Sequence, residues 1–119
     1  MRGLLIATLS LGSLLVSGCA ERRYSTYAPY YGNGYYGLEQ ASCGYFGRQA
    51  RDLTVTQGAM LAGVVNAPSA DDPVTNPANA RARLEHVIAR MVAVGYLTSA
   101  QARQALSAPL GLTRDGGDC

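Results

Sequence analysis

The sequence predicts an all-α protein of three to four short helices, and three observations predict it. Leu84, Val87, Ile88, Met91 and Val92 recur at i, i+3, i+4, i+7 and i+8, which draws one apolar stripe down a helix. Two segments open with the same cap signal, Thr54 with Gln57 and Thr98 with Gln101, the spacing at which side chain and backbone satisfy each other's free donors. The Val64-Val65 pair would suit a strand by itself, but it closes a segment that begins with such a cap and is rich in small residues. With 119 residues the chain has room for one domain at most.

The first eighteen residues differ from the rest. Arg2 is followed by an apolar run from Leu4 to Val16, too short for a bilayer span of about 20 residues, and then by small residues. This pattern reads as a secretory signal over 1–18. Its ending, Leu15-Val16-Ser17-Gly18-Cys19, resembles the lipobox of bacterial lipoproteins. That resemblance implies cleavage before Cys19, fatty acylation of Cys19 and a chain held on the exported side of a bacterial membrane. Two or three acyl chains anchor durably where one does so marginally. Residues 19–29 lack periodicity, end in Pro29 and read as a tether.

The stretch YYGNGYYGLEQASCGYFGR, from Tyr30 to Arg48, is dominated by tyrosine and glycine and could be spacer or folded edge. Past Gly37 the glycines thin, and Leu38, Ala41 and Tyr45 can share one face of a helix over about 37–44. The next helix is expected over 54–65. It is apolar nearly all round and therefore buried, with Gly58 and Gly63 permitting close neighbours and Asn66 and Pro68 ending it. Asn76 is suited to cap a helix over 77–94 and Pro77 to its first position, where the missing N–H is not needed. Gly95 suits a left-handed stop, with Tyr96 and Leu97 folding back on the last turn. A last helix over 99–107 is stopped by Pro109, and 113–119 reads as a disordered tail. A folded part of about 80 residues buries only about 60% of its chain surface and is marginal alone.

From Cys19 onward the chain has nine arginines, no lysine and eight acids. It is nearly neutral, which offers nothing to nucleic acid. Cys43 and Cys119 would lie in an oxidising compartment, and both a disulfide and two free thiols suit the sequence. Glu39 stands beside the glycine turn but reads as a solvated helix residue, and Asp71-Asp72 reads as a turn before Pro73. Glu85 and His86 are neighbours and so point about 100° apart on a helix. His86 reads as a partly exposed packing residue. Arg81 and Arg83, near the start of the long helix, could face phosphate or solvent. No catalytic constellation, metal cluster, phosphate loop or cofactor motif is legible.

Taken in order, GNGYYGLE, YFGR, LAGVVNAPS, NP and RMVAVGYLT resemble a continuous stretch of the family 51 glycosyltransferases, the peptidoglycan transglycosylase domain of class A penicillin-binding proteins. The resemblance runs over 30–112 and implies an all-α fragment of a lysozyme-like domain. It makes the tyrosine-glycine stretch part of the domain, with Asn33 and Arg83 as candidate contacts to substrate or phosphate. The family's general-base glutamate lies in an EDRRF motif, and GGSTITQQ, RKxxE and ILExYLN also precede the stretch that matches; none of these is in the sequence. Ser25-Thr26-Tyr27 stands where YLN is expected, and RRxxVL survives at Arg83, Val87 and Ile88. The implied reading is a lipid-anchored partial transglycosylase domain, without a catalytic residue of its own. It would meet lipid II or a cell-wall synthesis protein. The alternative is one part of a split enzyme that polymerises lipid II.

Overall fold

A computed structural model describes residues 28–113 and 119. The signal segment, Cys19 and most of the tether lie outside the described residues. The described chain is α-helical: α1 (Leu38–Phe46), a 3-10 turn (Ala50–Asp52), α2 (Val55–Val64), α3 (Pro77–Ala93) and α4 (Ser99–Ser107). Its one β feature is a single antiparallel bridge between Tyr30 and Tyr36. None of these helices is long and apolar enough to cross a membrane.

Local chemistry accounts for the ends. Thr54 and Thr98 both form complete capping boxes, with Thr98 Oγ1 accepting from Gln101 N at 3.1 Å and Thr54 Oγ1 from Gln57 N at 3.2 Å. Gly47, at φ 60°, ends α1 by donating to Cys43 O, and Gly95, at φ 84°, closes α3. Tyr96 N and Leu97 N both return to Met91 O. Leu97 packs on the core, while the Tyr96 side chain stays exposed. Asn76 departs from expectation. Its side chain makes no cap bond and instead donates to Ser69 O at 3.0 Å, so it braces the preceding loop.

α2 is the centre of the fold and touches α1, α3 and α4. Leu61 and Val64 are buried from α2, Tyr45 from α1, and Leu84 and Ile88 from α3. α2 is nevertheless not enclosed all round, since Val55 and Ala62 are exposed. Leu38 is also exposed, so α1 buries Ala41 and Tyr45 of the expected face, together with Phe46. Gly63 lets α3 lie close: a β-carbon there would come within 2.7 Å of Arg83 Cγ.

The end of the chain is tied down. Gln57 donates to Leu110 O, Thr113 N to Tyr45 O at 2.7 Å, and Thr113 Oγ1 to Gly44 O at 3.0 Å. Cys43 and Cys119 are joined in a disulfide with their Cα atoms 5.7 Å apart. Thr113 and Cys119, expected within a disordered tail, therefore both attach to α1. The remaining tail residues, 114–118, lie outside the described residues.

Candidate functional site

The site grows from the glycine turn. Tyr31 N donates to Tyr35 O and Tyr35 N to Gly32 O, both at 2.9 Å, which folds Tyr31–Tyr35 into a tight loop. That loop requires left-handed backbone at Gly32, Asn33 and Gly34, and Asn33 takes φ 51°. Asparagine tolerates this region better than most side-chain-bearing residues. Its amide is then held over the buried side of the loop. Asn33 Nδ2 donates to both Tyr45 Oη and Asp72 Oδ2, each at 3.0 Å. Tyr45 Oη donates in turn to Tyr31 O at 2.7 Å. Asp72 uses its other oxygen to accept from Val74 N at 2.9 Å, and its carbonyl accepts from Asn76 N. One polar knot thus fastens the glycine turn, α1 and the loop before α3.

Beside the knot lies a cleft of about 800 Å³, lined among others by Asn33, Tyr35, Tyr45, Val74, Leu112 and Thr113. Tyr35 meets Tyr45 edge to face, with ring centroids 5.1 Å apart, and its ring lies where a side chain on residue 44 would be. Only glycine fits there. Gly32 is as constrained: its φ is 88°, and a β-carbon would come within 2.9 Å of Tyr45 Oη and 3.3 Å of Pro68 O. Gly32→Ala should therefore lower stability by about 1–3 kcal/mol through backbone strain and contact, measurable as an earlier urea midpoint.

Burial pushes the Tyr45 hydroxyl up to about 12, against a partial offset from the Asn33 hydrogen bond, and also raises Tyr31. A folded value above the unfolded one of 10.0 means that the native state holds its proton longer. The resulting stability is complete below pH 10 and is lost as pH rises toward 12. Alkaline titration followed by tyrosinate absorbance should show the ionisation of Tyr45 displaced upward and accompanied by unfolding.

The described acids are otherwise engaged. Glu39 accepts from Ala50 N, Glu85 pairs with Arg81, Asp71 with Arg83, and Asp52 lies 4.0 Å from Arg51. None of the described acids lines the cleft. Arg83 and Asn33 are not brought together. The Arg83 stem crosses Gly63, Nε is buried without a hydrogen bond, and the guanidinium lies 3.5 Å from Asp71 in a separate depression with Asn79 and His86. Arg81 is spent on Glu85 and Leu106 O. His86 is exposed. Among the described residues no group of three or more His, Cys, Asp or Glu gathers as metal ligands would.

The model of the transglycosylase family matches residues 24–92. The chain belongs to the transglycosylase family. A Cupriavidus necator protein that bears a transglycosylase name is 42% identical over 83 residues, 70% of this chain and 36% of that protein. Penicillin-binding protein 1A of Rickettsia bellii is 36% identical over 89 residues, 75% of this chain and 11% of its own length. The crystal structure of penicillin-binding protein 1A from Haemophilus influenzae superposes with TM-score 0.70 at 27% identity, over 74% of this chain and 13% of that one. The chain thus spans about a third or less of the length of these relatives. Against this transglycosylase frame, the glycine turn and α1 lie inside the matched region, while α4 and Thr113 lie beyond 92.

Asp72 is the residue that sequence reasoning undervalued. It was expected to make a turn, and it does bond Val74 N, but it is also 5% exposed and reaches 39 residues back to Asn33. Nothing in the local pattern around Asp71-Asp72-Pro73 distinguishes a solvated turn acid from a buried one.

Proposed function

We propose that the protein is a lipid-anchored envelope protein carrying part of a peptidoglycan transglycosylase domain, which acts at the wall through a partner or precursor and does not polymerise glycan with its own side chains. Membership of the transglycosylase family and kinship with penicillin-binding proteins support the link to peptidoglycan synthesis. The lipobox-like segment ending at Cys19 supports the anchor. The observation that carries the non-catalytic half of the reading is the cleft, whose lining among the described residues contains no carboxylate, together with the engagement of Glu39, Asp71, Asp72 and Glu85 in structural bonds. Glycosyl transfer needs a base within hydrogen-bond reach of the acceptor hydroxyl and donors or cations on the leaving phosphate.

In this reading the cleft beside Asn33 is a contact surface for lipid II or for a wall-synthesis protein. Asn33 has spent both amide protons, so its oxygen is what it can offer as an acceptor. Arg83 remains a candidate phosphate contact only if Asp71 is displaced from it. The test is a polymerisation assay run by an intact transglycosylase, into which the purified mature chain is titrated. A saturable change in rate or glycan length, lost in Val74→Arg, is expected. No effect at any ratio, with no binding to enzyme or lipid II, would refute the reading.

A further inference from the structure

We infer that the face formed by Tyr30, Tyr36 and Leu38 rests in the interfacial layer of a phospholipid bilayer. The inference depends on the lipid anchor at Cys19 proposed above. Tyr30 and Tyr36 are bridged through the backbone, with ring centroids 4.8 Å apart. They are 37% and 57% exposed, and Leu38, two residues on, is 45% exposed. The rings are presented by a braced loop: Gly37 N donates to Pro29 O at 2.9 Å, Gly34 N to Tyr30 Oη at 3.3 Å, and Tyr36 N to Gln40 Oε1 at 3.0 Å. Ordered, outward aromatic rings beside an aliphatic side chain have the chemistry of an interfacial belt, where an apolar body sits at acyl depth and a hydroxyl meets water.

Chain length identifies the occupant. Ten residues separate Cys19 from Tyr30, so even fully extended the tether keeps this face within about 40 Å of an acylated Cys19. Another exposed apolar pair, Val94 and Tyr96, lies more than fifty residues past Leu38 along the chain. Between Ala28 and Gly47 the only charged residue is Glu39, and its carboxylate is turned to Ala50 N. Contact with lipid is therefore apolar rather than electrostatic, and salt should not release it.

The chain contains no tryptophan, so one substitution gives one probe. Acylated, mature full-length protein carrying Tyr36→Trp, or Leu38→Trp as an independent position, is reconstituted with phosphatidylcholine vesicles containing lipid brominated near the headgroup. Mass spectrometry of Cys19 is done on the same sample. The expected result is acyl mass on Cys19, a blue-shifted emission and several-fold stronger quenching at positions 36 and 38 than in Tyr96→Trp, unchanged by high salt. Acylated protein with unquenched probes at 36 and 38 would overturn the inference while leaving the anchor intact, as would burial of this face in a dimer. Cys19 without acyl mass would remove the anchor, and the inference with it.

Discussion

Reduction of the Cys43–Cys119 disulfide is expected to lower the melting temperature by roughly 10–20 °C. The cross-link spans 76 residues of sequence, and loops of that size contribute about 2–4 kcal/mol, mostly by restricting the unfolded chain. In a domain of this size each kcal/mol shifts the midpoint by about 4–8 °C. The placement adds a local effect. Cys43, Gly44 and Tyr45 are consecutive in α1, and the latter two accept from Thr113. The tie to Cys119 thus holds the end of the chain against the turn of α1 that Thr113 already meets. Leu112 and Thr113 form one wall of the cleft, so reduction should loosen that wall as well as the fold. A Cys43→Ala/Cys119→Ala variant should melt where the reduced protein melts and ignore reductant. Equal melting of oxidised and reduced protein would contradict this account.

Tyr45 is the side chain on which the site most depends. It is 1% exposed, meets Tyr35 and Phe46, and joins Asn33 to Tyr31 through its hydroxyl. Tyr45→Ala should cost about 3–5 kcal/mol, the range for removing a buried aromatic ring, and should leave little folded protein in a domain with so small a core. Tyr45→Phe keeps the ring and removes the hydroxyl, at about 1–2 kcal/mol, because Tyr31 O then lacks its donor. The pair of variants separates packing from the polar knot. Chemical-denaturant midpoints for the two should differ widely. Similar values would mean that the hydroxyl network, not the ring, carries the stability.

Most of the fold was legible because its signals are local. The two capping boxes, Pro77 and Gly95 each act within a turn of themselves, and α2, α3 and α4 fall within one residue of where those signals put them. The site was less legible because it is built from contacts distant in sequence. Asn33 was singled out for its place in the glycine turn, yet its function in the fold comes from Asp72 and Tyr45, 39 and 12 residues away. Arg83 was singled out by motif, and its Asp71 partner belongs to a loop that reads as solvated. The tail misled for the same reason. Thr113 and Cys119 look unstructured in a run of Asp and Gly, and only their bonds to α1 show otherwise. Asn76 has the right residue type for a cap, but Ser69 O competed successfully for its amide.

The proposal that binds the account together is that this chain makes no glycan by itself, with Glu39, Asp71, Asp72 and Glu85 held in structural bonds. It is tested most directly by incubating the purified mature protein, disulfide intact and without any other enzyme, with lipid II and separating the products by size. The account predicts unreacted lipid II at every protein concentration, for the native chain and for Glu39→Gln alike. Polymerised glycan made by the native chain and lost in Glu39→Gln would contradict it.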